Sequence, residues 1–309
     1  MPYFSVCIPL YNKANFITET LISVLDQDFS DFEIVICDDG STDDSAEKVE
    51  QFHDDRIKLI QQENMGAAIA RNQAIKTSSG EYVAFLDADD IWQKHHLKDL
   101  YQLIIDHPQA KLFSTNYKIE LPNGKERLPF FTGKIRTGIV DDYFLASLSD
   151  PVMTCFNTAV HHSVFNEIGY FDPVYRTGQD VDFAIRANLT FRLAYQEEPS
   201  VIYHQETENN LAKSKLNKDR LNYIRAYDAH AEVNESLSRY LTINRFALIM
   251  KSKQADDGIW KEAQKGLKPG HLDLKQRLLV RLNGYQLKLL KRLQHRLIKS
   301  GFYFSPFKS

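Results

Sequence analysis

An α/β fold on a mostly parallel sheet is what this sequence predicts, on three observations. Short β-rich runs alternate with helical patterns through the first hundred residues, as expected of strands joined by crossover helices. Two of those runs end in carboxylate clusters, Cys37-Asp-Asp-Gly-Ser-Thr-Asp43 and Tyr82-Val-Ala-Phe-Leu-Asp-Ala-Asp-Asp90. These lie at strand carboxyl ends, where open parallel sheets bind ligands. The chain has 309 residues with 43% hydrophobic content, enough for one large core or two modest ones.

Residues 4–9, 33–37, 57–61 and 82–86 read as strands. Between them, residues 15–25 carry apolar side chains at helical spacing, residues 43–52 follow a Ser/Thr/Asp start, and residues 66–75 are alanine-rich. A further helix is expected near residues 91–105. Strands are expected at 112–119 and 154–160, separated by a loop containing Pro122-Asn-Gly-Lys and Pro129. A short helix at 180–187 precedes strands near 191–195 and 200–204, and from about Lys213 the pattern is mostly helical. The expected organisation is an α/β part over residues 1–210, divided at about residue 110, then a helical region over 211–309.

The start of the chain lacks a basic segment and its apolar run is interrupted by Pro9, so no signal peptide is expected. No uncharged apolar stretch reaches about 18 residues, so no membrane-spanning helix is expected either. Cys7, Cys37 and Cys155 lie far apart in apolar runs, which suits buried reduced thiols in a cytoplasmic protein. The net charge of −3 hides a polarity. From Lys265 onward eleven Lys or Arg face one acid, Asp273, giving that segment +10 and the rest of the chain −13.

Carboxylates crowded at the end of a buried strand repel one another and call for a divalent cation or a row of donors. Mn²⁺ or Mg²⁺ bridging to a diphosphate is the simplest such partner. An acidic helix N-terminus accounts for one Asp, hardly for Asp87, Asp89 and Asp90 together after an apolar strand. Asp38 and Asp39 precede a Gly-Ser-Thr turn; a carboxylate there can accept from uracil N3–H or from guanine, whereas cytosine offers no donor at N3. Gly66 belongs to no G-x-G-x-x-G fingerprint, which argues against a dinucleotide dehydrogenase.

Five motifs in order, Ser5-Val-Cys-Ile-Pro-Leu-Tyr-Asn12, Ser23-Val-Leu-Asp-Gln-Asp28, Phe32-Glu-Ile-Val-Ile-Cys-Asp-Asp-Gly-Ser-Thr-Asp43, Asn64-Met-Gly-Ala-Ala-Ile-Ala-Arg-Asn72 and Phe85-Leu-Asp-Ala-Asp-Asp90, resemble the signature of family 2 glycosyltransferases. The resemblance covers roughly residues 3–210. It implies the GT-A fold, a Rossmann-like mostly parallel sheet flanked by helices, with nucleotide-sugar donors and inversion at the anomeric carbon. It also implies that the part over residues 1–210 is catalytic, nucleotide-binding to about 110 and acceptor-binding beyond. By resemblance, Pro9, Tyr11, Asn12, Asp38, Asp39, Arg71 and Asp87 bind the nucleotide, Asp87 on its ribose side, and Asp89 ligates the metal with Asp90 in support. In the second half, Gly178-Gln-Asp-Val-Asp182 is similar to the family's Gly-Glu-Asp-x-Asp. Asp180 falls on the catalytic base, with Gln179 where Glu is usual and Asp182 assigned a structural or secondary role. His204 ends a late strand where relatives place a metal- or phosphate-facing His. Aligning on Asn209-Asn210-Leu211 instead puts Thr207 there, and both registers stay open.

In the tail, Leu278, Leu282, Tyr285, Leu289, Leu293 and Leu297 recur at helical spacing, flanked by Lys288, Lys291, Arg292, Arg296 and Lys299. This predicts a basic amphipathic helix suited to an anionic bilayer, or to packing on the catalytic part or another subunit. Nucleic acid is disfavoured because the globular part is acidic.

These readings predict a metal-dependent, inverting enzyme passing a hexose or N-acetylhexosamine from a UDP-sugar to a saccharide or lipid-linked saccharide of a surface polysaccharide or lipopolysaccharide. Its expected location is cytoplasmic, peripheral on the inner membrane face. A non-catalytic nucleotide-sugar-binding relative is disfavoured by the presence of Asp87, Asp89 and Asp180. A sugar nucleotidyltransferase is disfavoured by the missing glycine-rich basic loop.

Overall fold

The computed structural model describes residues 1–121, 123–205 and 216–299. The chain forms two compact units. Met1–Pro129, Lys134–Tyr143 and Val152–Asn210 make the first; Phe130–Gly133, Phe144–Pro151 and Leu211–Ser309 make the second.

The first unit is built on a ten-stranded sheet. Its strands are β1 (Phe4–Leu10), β2 (Phe32–Asp38), β3 (Ile57–Gln61), β4 (Tyr82–Phe85), β5 (Ile91–Trp92), β6 (Leu112–Glu120), β7 (Glu126–Arg127), β8 (Gly138–Ile139), β9 (Thr158–His161) and β10 (Leu193–His204). They lie in the order β3-β2-β1-β4-β9-β6-β10-β5, with β7 on β6 and β8 on β10. The first seven helices are α1 (Ile17–Leu25), α2 (Ser45–Glu50), α3 (Ala67–Thr77), α4 (His96–Asp106), the single turn α5 (Tyr143–Ala146), α6 (Val164–Ile168) and α7 (Gln179–Thr190); all but α5, which falls mostly in the second unit, belong to the first.

β3, β2, β1 and β4 run parallel, as does the β6–β10 pair, while β9 lies antiparallel between β4 and β6. β2 is buried along its whole length and β1 nearly so. That burial on both faces explains why these strands read as continuous apolar runs rather than alternating ones.

Three expectations need correction. The helix expected near residues 91–105 starts only at His96, because Ile91 and Trp92 pair with Ile202 and Val201 as a short strand. Of the strand expected at 154–160, only Thr158 onward is extended, since Asn157 anchors the preceding turn through Thr154. The two late strands are one, β10, whose ladder with β6 shifts register on either side of Pro199, a residue with no N–H to donate.

The second unit is helical: α8 (Asn217–Ala226), α9 (His230–Val233), α10 (Glu235–Ala255), α11 (Ile259–Lys265), α12 (Leu274–Arg281) and α13 (Gly284–Lys299). The long α10 is capped by Asn234, whose side chain accepts from the Leu237 amide, and buries Leu237, Leu241, Phe246 and Ile249. The tail is two helices, not one. α12 opens on an Asp273–Gln276 capping box. Leu282 is extended, and Asn283 and Gln286 hydrogen-bond reciprocally at 3.0 Å to start α13. A Cβ on Gly284 would stand 2.2 Å from the Lys253 carbonyl oxygen, so this Asn-Gly step fixes the break.

The tail's packing row also differs from the expected seam. Leu279, Val280 and Leu287 are buried, whereas Leu278, Tyr285, Leu289 and Leu293 are exposed. The side chains of Leu297 and Lys299, like all of Thr207, Asn209 and Asn210, lie outside the described residues. Among the described residues no helix is long and apolar enough to cross a membrane. Cys7, Cys37 and Cys155 are buried and free, and burial raises each thiol's pKa above its ordinary value.

Candidate active site

Parallel register brings the two carboxylate clusters to one edge. Leu10 at the end of β1 pairs with Asp38 at the end of β2, and the Asp39 amide donates to the Leu10 carbonyl at 2.8 Å. On the other side of β1, the Leu86 amide donates to the Cys7 carbonyl, which places Asp87 beyond the same edge.

The loop after β1 is tied to the loop after β2. Asn12, at φ 50, accepts from the Thr42 amide at 2.8 Å and donates its own amide to Ser41 at 3.0 Å. Tyr11 beside it is exposed, and Pro9 pairs with Cys37 inside the sheet. Asp38 is buried and accepts from the Ser41 amide, holding the Gly-Ser-Thr turn. Asp39 is the more constrained carboxylate. Its Oδ1 accepts from Gln62 Nε2 at 2.7 Å and the Met65 amide at 2.8 Å, and its Oδ2 from the Gly66 amide at 2.8 Å. Oδ2 therefore retains acceptor capacity for one more donor.

α3 delivers Arg71, buried, with Nη2 donating to Asp87 Oδ1 at 2.8 Å. The guanidinium lies 5.0 Å from the centre of the Phe171 ring, and its Nε and Nη1 are buried without a partner. Desolvation raises the Asp87 pKa above the ordinary value; Arg71 opposes this, while Asp89 and Asp180 add to it. Asp89 pairs with Lys13, Nζ to Oδ2 at 2.6 Å. Asp90 is buried. One of its oxygens accepts from the His204 amide at 2.9 Å, the other has no partner, and burial with its acidic neighbours pushes its pKa well up.

The short β5–β10 ladder sets His204 beside this loop. Its Nδ1 lies 2.6 Å from the Asp89 carbonyl oxygen and its Nε2 3.1 Å from Glu120. Both ring nitrogens face oxygen acceptors, so a cation would have to displace one contact to gain a lone pair.

Asp180 is exposed at the first turn of α7, after left-handed Gly178. It stands near enough to bear electrostatically on Asp87, Arg71 and Cys155. Gln179 beside it is buried with Oε1 unpartnered, and Asp182 points away to pair with Arg186 at 2.7 Å. The site thus joins Asp87, Asp89, Asp90, Arg71, His204 and Asp180, with Asp38, Asp39 and Asn12 on the adjoining loops.

Sequence reasoning missed Lys13, Gln62 and Glu120. Lys13 had one available signal, a basic residue directly after Tyr11-Asn12 and opposite an acidic loop; Gln62 and Glu120 carried none. With both His204 nitrogens engaged, the donors left at this loop are carboxylate oxygens, which suit a hard cation. Among the described residues no three His, Cys, Asp or Glu side chains are arranged to hold a metal by themselves. Asp89 and one neighbouring carboxylate would suit an ion that takes the rest of its oxygen ligands from a bound anion or water.

Comparison with known proteins agrees on the family. The description Glycosyl transferase family 2 matches residues 5–169. Bacillus subtilis TuaG, a putative teichuronic acid biosynthesis glycosyltransferase, is 34% identical over 183 residues, 58% of this chain and 69% of that protein. Escherichia coli WfgD, a UDP-Glc:α-D-GlcNAc-diphosphoundecaprenol β-1,3-glucosyltransferase, is 40% identical over 116 residues, 37% of this chain and 46% of that one. Among solved structures, S. aureus TarS 1–349 with UDP-GlcNAc superposes at TM-score 0.72 with 22% identity, covering 98% of this chain and 93% of that one. Pyrobaculum calidifontis PcManGT, a mannosyltransferase held with GDP-Man and Mn²⁺, gives 0.59 with 18% identity, covering 99% and 82%. Motif order, sheet and comparisons converge: the chain belongs to glycosyltransferase family 2 and is a glycosyltransferase of the GT-A fold.

Proposed function

We propose that this enzyme transfers a hexose or N-acetylhexosamine from a UDP-sugar, with inversion and with the help of Mn²⁺ or Mg²⁺, to a saccharide or lipid-linked saccharide acceptor in surface polysaccharide or lipopolysaccharide synthesis. The observation that carries this reading is the convergence of Asp39, Arg71, Asp87 and Asp89 beyond the carboxyl ends of the parallel strands, with Asp180 at the start of α7 near enough to bear on Asp87 and Arg71. Catalysis is assigned to residues 1–210, and the helices α8 to α13 follow as an extension.

In this reading Asp39 Oδ2 accepts from uracil N3–H, its orientation fixed by Gln62 and the amides of Met65 and Gly66. Asp87 faces the ribose, held by Arg71, whose unpaired Nε and Nη1 are donors for the nucleotide's oxygens. Asp89 anchors the cation. When bound, the divalent ion stabilises the negative charge that the diphosphate gains as the glycosidic bond breaks. Asp180 takes the acceptor hydroxyl's proton as that oxygen attacks from the face opposite the diphosphate. UDP-GlcNAc in TarS and UDP-Glc in the name of WfgD are consistent with this donor class, and the Mn²⁺ of PcManGT, which is held there with GDP-Man, with a divalent ion.

The same proposal includes peripheral contact with an anionic membrane. Leu274, Leu278, Tyr285, Leu289 and Leu293 are exposed in a segment carrying +10, combining apolar burial with attraction to acidic headgroups. The donor assignment is tested by thermal shift across nucleotide-sugars with and without Mn²⁺. A UDP-sugar should raise Tm most, and only with the metal; a guanosine donor in that position would refute the uridine assignment.

A further inference from the structure

We propose that Lys13 is the resident counter-cation of Asp89, and that a divalent ion enters the site by displacing its ammonium. This rests on the metal-assisted reading above and adds a residue to it. Lys13 Nζ stands 2.6 Å from Asp89 Oδ2, with the two side chains only 11% and 14% exposed. Such burial leaves little water to compensate either charge, so each needs the other or a substitute.

The surroundings make a counter-cation necessary at this point. Asp87 has Arg71 as its partner, but Asp90 beside Asp89 is buried with one oxygen unpartnered. Without an ammonium beside Asp89, the loop would hold adjacent carboxylates with no cation between them. A dication on either oxygen of Asp89 would face that ammonium at short range and in a poorly solvated place, so the two cations compete.

The loop holds the Lys13 backbone in place: the Lys13 amide donates to Ser45 Oγ at 2.8 Å, the Asn12 amide to Ser41 at 3.0 Å and the Ala14 amide to Asp43 at 3.1 Å. Beyond the backbone, a lysine carries a compact point charge on a four-carbon stem. The loop that carries Lys13 adjoins the one that holds Asp39, so the same segment borders the nucleotide position and guards the cation position. Metal affinity should accordingly be low in the free enzyme and rise with the diphosphate, whose charge compensates the released ammonium.

The test is Mn²⁺ binding, read from the electron paramagnetic resonance of the free ion, for wild type, Lys13→Met and Lys13→Arg, without nucleotide and with UDP. Without nucleotide, Lys13→Met should bind Mn²⁺ about tenfold more tightly than wild type or better, the scale on which a nearby opposite charge competes for a carboxylate. Its metal-free Tm should fall, and Lys13→Arg should keep wild-type affinity. Equal or weaker binding by a folded Lys13→Met, or equal tightening in Lys13→Arg, overturns the inference. In unmodified protein, saturating Mn²⁺ alone should speed reductive methylation of Lys13, followed by mass spectrometry; an unchanged rate also overturns it. If wild type binds Mn²⁺ with UDP yet Lys13 shows none of these responses, this inference alone falls. If no variant binds Mn²⁺ under any condition, the metal reading falls with it.

Discussion

Arg71 Nη2 donates to Asp87 Oδ1 at 2.8 Å, from a guanidinium that is buried and still has two unpaired nitrogens. The pair joins α3 to the acidic loop and leaves donors to spare, a charged group held ready for an anion. Arg71→Met should lower the affinity for UDP at least tenfold. It should also destabilise the fold by about 1–3 kcal/mol, because Asp87 loses its partner beside Asp89 and Asp180. Calorimetric titration with UDP and thermal unfolding read the two effects separately; unchanged UDP affinity would remove Arg71 from the nucleotide site.

Asp180→Asn should leave UDP affinity nearly intact and reduce turnover about a hundredfold or more, the scale of a lost general base. Exposed placement at the start of α7 gives the carboxylate access to an incoming hydroxyl. Collapse of donor affinity in this variant would instead assign Asp180 to the donor site.

Glu33 supplies a prediction about stability. Burial would raise its pKa, but donors from Lys58, Ser5 and Ser79 outweigh that and hold it at about 2. An unfolded Glu titrates near 4.3. Its contribution is therefore complete above that value and lost as pH falls toward 2. Glu33→Gln should cost about 1–3 kcal/mol at pH 7, and the gap from wild type should close as urea unfolding is repeated from pH 5 downward. A gap that stays constant with pH would contradict the ionised, paired state.

Replacing Leu278, Tyr285, Leu289 and Leu293 together by Ser should reduce sedimentation with anionic liposomes while leaving hydrolysis of a soluble donor unchanged. Substitution is a better probe than truncation, since removing residues 275–309 would also remove buried Leu279 and Leu287. Undiminished sedimentation would exclude this face as the membrane contact.

The parallel half of the sheet and the acidic edge were legible because both are local signals. Apolar runs end in carboxylates at Asp38 and Asp87, and strand ends are where open sheets bind ligands. The rest depends on long-range pairing. Nothing near Trp92 announces that it pairs with Val201, so a strand there read as helix. Lys13 reaches Asp89 across 76 positions of sequence, and Gln62 reaches Asp39 across 23. In the tail, periodicity marked an apolar row but could not say which of two rows faces the core. Leu287 packs and Leu289 does not, a choice made by the Asn283-Gly284 break against α10.

The most direct test of the central claim is product analysis with a UDP-sugar and Mn²⁺, comparing wild type with Asp89→Asn. A neutral amide keeps the shape but cannot supply the charge that anchors a cation. Wild type should release UDP only when the divalent ion is present, and Asp89→Asn should nearly abolish this release. Release of pyrophosphate, or full turnover by Asp89→Asn at saturating metal, would contradict it.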